Sequence, residues 1–132
     1  MNSIVKVDWD SKLPIYEISH LKLHKEGIKS LLIDVDGTLL SRQSSVIPAN
    51  VKKWIKESKK LFSLYLISNN PSKERIRRIA MELDIRYKSN AQKPRKKITL
   101  DVIAEMNEDS KNIAIIGDRI FTDVIVGNRC NI

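Results

Sequence analysis

The sequence predicts an α/β fold in which helices cover both faces of a parallel sheet. Four short β-prone runs occur along the chain, at residues 31–33, 64–67, 85–87 and 113–116. Apolar residues at helical spacing lie between these runs and predict helices there. Strands that alternate with helices in this way favour a parallel sheet with right-handed crossover connections.

Three helices are predicted to connect the strands. The first begins at Pro48, and its apolar face comprises Val51, Trp54, Ile55 and Leu61. The second spans 72–83, and its inward face comprises Ile76, Ile79, Ala80 and Leu83. Its outward face is expected to carry Lys73, Arg75, Arg77 and Arg78. The third spans 95–106 and leads into the last strand, whereas the run at 85–87 is short enough to be an outer strand.

Residues 1–30 are expected to form an N-terminal extension that packs on the rest of the domain. A short helix is predicted over 19–26, because Ser19 can cap its start and Gly27 can terminate it. Leu21 and Leu23 do not form a clean apolar stripe along this helix.

Aromatic and histidine residues of the same extension have two interpretations each. Trp9 and Tyr16 are expected to pack on the sheet, the alternative being contact with a lipid surface. His20 and His24 are four residues apart, as in helical metal sites, but no third ligand is near in sequence. Both histidines are therefore expected at the surface.

Size and composition limit the class of protein. At 132 residues, the chain 1–132 is long enough for one domain with one core. Its 24 Lys and Arg against 16 Asp and Glu give a net charge of +8, which favours an anionic substrate or partner; the alternative is a merely solvated surface.

A lone Cys130 excludes a disulfide framework and a four-cysteine zinc site. No run approaches the roughly 20 apolar residues of a membrane span, so a cytoplasmic protein, at most peripheral to a membrane, is expected.

Two neighbouring aspartates mark the expected functional site. Asp34 and Asp36 follow the run at 31–33, and the alternation of an extended chain places both side chains on one side. Carboxylates this close need a cation, a shared proton or water to offset their repulsion. Asp36-Gly37 is also the signal of a β-hairpin turn, which stays an alternative on this stretch alone. Because Asp118 follows the last run in a similar way, the chain as a whole favours a ligand site at the carboxyl edge of a parallel sheet.

The order of these motifs resembles that of the haloacid dehalogenase (HAD) superfamily of phosphohydrolases. Asp34-Val35-Asp36-Gly37-Thr38 is followed by a strand ending at Ser68, by Lys93-Pro94, and by Gly117-Asp118 with Asp123. Within the superfamily the chain is most similar to the YqeG-type (IIIA) phosphatases, which are similar to the phosphatidylglycerophosphate phosphatases of mitochondria and plastids. The resemblance implies a Rossmann-like, three-layer fold and Mg²⁺-dependent hydrolysis of phosphate monoesters. Two positions depart from the pattern, Gly37 where Asn is more common and Arg119 where Gln is.

The resemblance also implies roles for single residues. Asp34 is expected to be the nucleophile that forms an aspartyl-phosphate, and Asp36 the general acid and base. The Mg²⁺ ligands would be the carboxylates of Asp34 and Asp118 and the backbone carbonyl of Asp36, with Asp123 acting from the second shell or through water. The residues expected to bind phosphoryl oxygens are Ser68, Asn69 and Lys93. Whether Asn69 and Asn70 orient the site or only form the turn is open at this point.

No cap domain fits between the motifs, and the chain after them is short. A loop, a helix and a strand use up the residues between Asp36 and Ser68, and a helix and a short strand those between Ser68 and Lys93. The site is therefore expected to be open, and to suit a phosphate on something large or to need a partner that closes it. Only nine residues follow Asp123, so the domain is expected to be short of the final strand of the superfamily. Residues 113–116 would then be an exposed edge that invites association.

Three functions stay under consideration. The leading one is a Mg²⁺-dependent phosphatase whose substrate is a phosphatidylglycerophosphate-like lipid at an anionic membrane surface. The alternatives are a soluble nucleotide or sugar phosphatase, and a nucleic-acid- or ribosome-associated protein on a HAD scaffold. A basic run without an acid supports an anionic partner; its members are Arg86, Lys88, Lys93, Arg95, Lys96 and Lys97. Aromatic residues make up only 5% of the chain, which argues against an aromatic RNA-binding surface.

Overall fold

A parallel sheet organises the part of the chain that the structure describes, residues 14–68, 70–89, 95–106 and 110–117 of a computed structural model. The strands are β1 (Ser30–Asp34), β2 (Ser63–Ser68), β3 (Arg86–Ser89) and β4 (Ile113–Ile116). The helices are α1 (His20–Lys25), α2 (Ala49–Leu61), α3 (Lys73–Leu83) and α4 (Arg95–Met106), with short 3₁₀ helices at Ile15–Glu17 and Ser110–Asn112. The strand order is β3-β2-β1-β4, and all the pairings are parallel. The predicted α/β fold is confirmed.

The pairing of β1 decides between the two interpretations of Asp36-Gly37. β1 lies between β2 and β4 and runs parallel to both, with Leu31 opposite Leu64 and Ala114. A hairpin after β1 would have required an antiparallel neighbour. The hairpin alternative is therefore wrong, and the two aspartates lie where a central strand enters a loop.

Alternate side chains of β1 enter two separate cores. Leu31 and Ile33 pack in the larger cluster, together with the buried faces of α2 and α3. Leu32 packs in the smaller cluster with Val102 of α4. The sheet therefore has helices on both faces, as expected of three layers, and β1 is buried along its whole length.

The ends of α1 follow from local hydrogen bonds. Ser19 Oγ accepts a hydrogen bond from the Lys22 N–H at 3.1 Å and caps the start of the helix. Gly27 has φ +83°, and its N–H donates to the His24 carbonyl at 3.0 Å, while the next N–H donates to the Leu23 carbonyl at 3.1 Å. This is a Schellman motif, which needs a left-handed residue that glycine supplies without strain. The helix predicted between Ser19 and Gly27 is confirmed.

The expectation that His20 lies at the surface is wrong. Its ring stacks on Trp54, with centroids 4.7 Å apart, and its Nε2 lies 2.6 Å from Ser58 Oγ. Since the Ser58 hydroxyl donates its own proton to the Trp54 carbonyl, the imidazole must donate through Nε2. Burial lowers the pKa of His20 from its ordinary value of 6.5, against smaller opposing effects of Glu57 and the Trp54 backbone. His24, in contrast, is exposed as expected.

Tyr16 does not pack on the sheet as expected, and Trp9 lies outside the described residues. The Tyr16 side chain is 40% exposed, because its neighbour Ile15 takes the inward position of the 3₁₀ turn. The N-terminal segment is joined to the core through Trp54 of α2 instead, whose Nε1–H donates to the Ile18 carbonyl at 3.0 Å. Among the described residues, no helix is long and apolar enough to span a bilayer.

Candidate active site

Asp34 and Asp36 lie at the carboxyl edge of the sheet, on either side of a residue that faces the core. Asp34 ends β1 opposite Ile67, and the Val35 N–H extends the ladder by donating to the Ile67 carbonyl at 3.1 Å. Because Ile33 and Val35 enter the same core, Asp34 between them faces the other side of the strand, whereas Asp36 lies beyond the end of β1. Asp34 is 3% exposed and Asp36 8%. Two carboxylates are thus withdrawn from bulk water at the edge where parallel sheets bind ligands.

The turn after Asp36 is tight and requires an unusual backbone conformation. Gly37 has φ +84°, and its N–H donates to the Leu40 carbonyl at 2.9 Å. The N–H groups of Thr38 and Leu39 both donate to the Val35 carbonyl, at 3.2 and 2.9 Å. A positive φ is tolerated best by glycine and next by Asn, which is the more common residue here in the YqeG-type proteins that the chain resembles. The departure at Gly37 therefore preserves the turn.

The carboxylate of Asp36 is bound on both oxygens by residues that follow β2. Arg75 donates to Oδ1 from Nε at 3.0 Å, and its Nη2 lies 2.9 Å from the same oxygen in an ion pair. Asn70 donates to Oδ2 from its side-chain amide at 3.0 Å. These contacts join the loop after β1 to the segment between β2 and α3.

The prediction that Arg75 faces outward is wrong. Its side chain is only 13% exposed, and besides Asp36 it reaches the Ser44 carbonyl at 2.6 Å and the Ser41 carbonyl at 2.9 Å. Arg75 lies four residues before the buried Ile79, so it flanks the apolar face of α3, and its long side chain extends past the end of the sheet. The sequence did offer one signal for this contact. Arg75 lies in the first turn of α3, the helix that follows the strand ending at Ser68, and this places it near the carboxyl edge of the sheet.

Ser68 and Asn70 take defined places beside the aspartates. Ser68 ends β2, is 3% exposed, and its Oγ accepts the Asn70 N–H at 3.0 Å. Asn70 accepts the Ser72 N–H at 2.8 Å through Oδ1, while its Nδ2 faces Asp36. Asn70 therefore both forms the turn and contacts the site, which resolves the choice that the sequence left open. The other residues predicted for the site lie outside the described residues; they are Asn69, Lys93, Asp118 and Asp123.

The donors in the described part of the site suit a hard cation. No group of three or more His, Cys, Asp or Glu that could hold a metal occurs within the described ranges. Asp34 and Asp36 nevertheless offer two buried carboxylates at one edge, and Mg²⁺ is commonly bound by one or two carboxylates together with waters and substrate phosphate. The Thr38 hydroxyl beside them is buried without a hydrogen-bond partner in the described structure. An all-oxygen, partly unsatisfied set of this kind fits Mg²⁺ rather than a metal that prefers nitrogen or sulfur.

A second polar network holds α4 against the opposite face of the sheet. The Tyr65 hydroxyl donates to Glu105 at 2.6 Å, Lys88 contacts the same carboxylate at 2.5 Å, and Arg86 lies 4.9 Å from the Tyr65 ring centre. Burial, followed by the contact with Glu105, raises the pKa of Tyr65 to about 12. The hydrogen bond from Lys88, followed by that from Tyr65, lowers the pKa of Glu105. The network fixes β2 and β3 relative to the helix that follows the Lys93-Pro94 motif.

Comparison with known proteins assigns the family. A family profile described as "Mitochondrial PGP phosphatase" matches residues 2–131. The chain belongs to this family. It is also 27% identical over 115 residues to "Probable phosphatase YqeG" of Bacillus subtilis (strain 168), an alignment that covers 87% of this chain and 67% of that protein. No solved structure matches the chain.

Membership of the PGP phosphatase family confirms two predictions made from the motifs. The chain is a HAD-type phosphatase, and within that superfamily it is YqeG-like. The parallel sheet with helices on both faces is the Rossmann-like core that this assignment implies.

Proposed function

We propose that the protein is a Mg²⁺-dependent phosphohydrolase that works through an aspartyl-phosphate on Asp34. The observation that carries the proposal is the burial of Asp34 and Asp36 together at the carboxyl end of the central strand. Hydrolysis of phosphate monoesters is extremely slow without a catalyst, and a buried carboxylate nucleophile divides it into two easier steps.

The two aspartates at this edge would carry out the reaction in two steps. A carboxylate oxygen of Asp34 forms a bond to phosphorus while the bond from phosphorus to the leaving oxygen breaks, and Asp36 donates a proton to that oxygen. Asp36 then takes a proton from water, whose oxygen attacks phosphorus and releases phosphate and the Asp34 carboxylate. Ser68, with Asn69 and Lys93, would bind the remaining phosphoryl oxygens.

Mg²⁺ would be held by the carboxylates of Asp34 and Asp118 and by the backbone carbonyl of Asp36, with Asp123 in the second shell. The cation supplies charge that offsets the phosphoryl oxygens and the two aspartates. The fit of the oxygen donors at Asp34 and Asp36 supports this assignment.

Substitution of the two aspartates tests the mechanism. Asp34→Asn should abolish turnover with an unchanged circular dichroism spectrum, because the amide keeps the volume but is a poor nucleophile. Asp36→Asn should lower kcat by about 10²- to 10⁴-fold, the usual contribution of general acid–base catalysis. Acid quenching with ³²P-labelled substrate should trap label on the wild type and none on Asp34→Asn. Turnover above a few per cent of wild type by Asp34→Asn, or equal labelling of both proteins, would refute covalent catalysis at Asp34.

We further propose that the substrate is the phosphate of a phosphatidylglycerophosphate-like lipid, met at an anionic membrane surface to which the protein binds peripherally. The family description supports this substrate class, and so do the net charge of +8 and the acid-free basic run. Each Lys or Arg near an anionic surface contributes about 1 kcal/mol to binding. The described segment between Asp36 and Ser68 adds only a loop, α2 and β2, which leaves room for a bulky substrate.

Neutralising part of the basic run tests the lipid substrate. Replacing Arg95, Lys96 and Lys97 by Gln should lower turnover on anionic vesicles by more than about tenfold, with little change on a small soluble ester. A matched variant that replaces Lys53, Lys56 and Lys60 on the exposed face of α2 removes the same charge elsewhere.

Three results would contradict the lipid proposal. Equal losses on vesicles and on the soluble ester would place the run in catalysis or folding, and equal losses in both variants would mean that only total charge matters. Tight RNA binding without lipid hydrolysis would favour a nucleic-acid partner.

A further inference from the structure

We propose that Arg75 is a positioning residue for proton transfer, which holds the carboxylate of Asp36 where the leaving oxygen departs. The inference rests on the proposed role of Asp36 as general acid and base. Among the described residues, the side-chain hydrogen bonds and ion pair of Arg75 go to Asp36, Ser41 and Ser44. Its contribution would therefore be to orient a catalytic group.

The contact between Arg75 and Asp36 is buried and directional. Nε donates to Oδ1 at 3.0 Å, Nη2 forms an ion pair with the same oxygen at 2.9 Å, and the two side chains are 13% and 7% exposed. Asn70 holds Oδ2 from the other side at 3.0 Å. A carboxylate bound on both oxygens has little rotational freedom, and a cation that is always protonated supplies the stronger of the two restraints.

The same guanidinium also fixes the loop that covers Asp36. Nη1 donates to the Ser44 carbonyl at 2.6 Å and Nη2 to the Ser41 carbonyl at 2.9 Å. One planar cation thus joins three points, the acid and two carbonyls of the 41–45 loop. Lysine could not reproduce this arrangement, because an ammonium is a single point on a flexible stem.

The dependence of the rate on the leaving group distinguishes a positioning role of Arg75 from a purely structural one. An alkyl leaving oxygen is strongly basic and needs a proton as it departs, whereas a dinitrophenolate leaves without one. Misplacing a general acid therefore slows alkyl esters and spares activated aryl esters. A general loss of folding or of phosphate binding would slow both substrates.

The experiment compares kcat/KM on glycerol phosphate and on 2,4-dinitrophenyl phosphate with Mg²⁺ present, because kcat/KM reports the steps up to departure of the leaving oxygen and not the later hydrolysis of the aspartyl-phosphate, which both esters share. Arg75→Met should lower kcat/KM on the alkyl ester by about 30-fold or more and on the aryl ester by less than about threefold. Arg75→Lys should recover only a small part of the loss. Arg78→Met is the matched control, since Arg78 donates to the Ser45 carbonyl of the same loop without contacting Asp36, and both of its rates should change by less than about twofold.

The ratio of the two rates within one preparation is independent of the folded fraction, so partial unfolding of a variant does not obscure the result. Equal losses on both esters would overturn the inference, and so would faster turnover by Arg75→Met, which would mean that Arg75 restrains Asp36 instead. Asp36→Asn, assayed in parallel, separates the two proposals. If Asp36→Asn shows the leaving-group dependence and Arg75→Met does not, the inference about Arg75 fails alone; if neither shows it, the acid–base role of Asp36 fails as well.

Discussion

Replacing Asn70 by Asp would change a single contact at the site. Asn70 Oδ1 accepts the Ser72 N–H, which can only donate, so the amide nitrogen must be the atom that faces Asp36. An aspartate at this position keeps an acceptor for the Ser72 N–H and therefore keeps the turn. What changes is that a carboxylate oxygen replaces the donor 3.0 Å from Asp36 Oδ2.

The expected penalty is large compared with ordinary surface substitutions. Two unit charges about 4 Å apart repel by about 4 kcal/mol at an effective dielectric constant of about 20. The lost hydrogen bond to a charged acceptor adds about 1.5 to 3 kcal/mol. Arg75 offsets part of this sum, and movement of the new carboxylate relieves more. If about 2 kcal/mol still opposes the placement of Asp36, kcat falls by about 30-fold.

Steady-state kinetics with a soluble alkyl phosphate would measure the effect of Asn70→Asp. Asn70→Ala is the control, since it removes the donor without adding charge, and it should lose less activity than Asn70→Asp. Thermal melting of both variants would show whether the turn is intact. A kcat for Asn70→Asp within about threefold of wild type would mean that the contact with Asp36 does not matter for turnover.

Three further predictions concern stability and the site turn. Because burial lowers the pKa of His20, the unfolded chain binds the proton more readily than the folded chain. The free energy of unfolding should therefore decrease as pH falls below 6.5. His20→Phe should show a smaller loss of Tm than the wild type between about pH 7 and about pH 5.5. Trp54→Phe leaves the Ile18 carbonyl without its donor and should cost about 1 to 3 kcal/mol in denaturant unfolding, so an unchanged midpoint would contradict the importance of that bond. Gly37→Asn should keep most of the phosphatase activity, whereas Gly37→Ala should be less stable by about 1 kcal/mol, because Asn tolerates a positive φ better than Ala does; equal stability of the two variants would argue against this turn.

The secondary structure could be predicted because its signals are local. The helix after Ser19 ends at Gly27, and the last strand spans Ile113–Ile116 as its apolar run indicates. The parallel direction of the strands followed from the alternation of elements, since a crossover connection leaves few arrangements. Asp34 and Asp36 share one edge because both come at the carboxyl end of β1, which the sequence marks by the end of its apolar run.

The contacts of Arg75, Asn70 and His20 could not be predicted, because each joins segments that are far apart in the chain. Arg75 lies 39 residues from Asp36, and His20 lies 38 residues from Ser58. Helical periodicity says which face a residue occupies but not how far a long side chain extends beyond that face. A charged residue at the margin of an apolar stripe is therefore the kind of position that periodicity assigns to the surface wrongly.

The burial of Asp36 shows how a site without an inserted domain between β1 and β2 can still exclude water from its acid. Asp36 is 8% exposed although only a loop, α2 and β2 separate it from Ser68. The shielding comes from the 41–45 loop, whose Ser44 and Ser41 carbonyls accept hydrogen bonds from Arg75, and from Asn70 on the other side. Because this cover consists of a few residues held by side chains of α3, it protects the acid without enclosing the whole substrate. A phosphate attached to a large, surface-bound molecule could reach such a site, which is what the proposed lipid substrate requires.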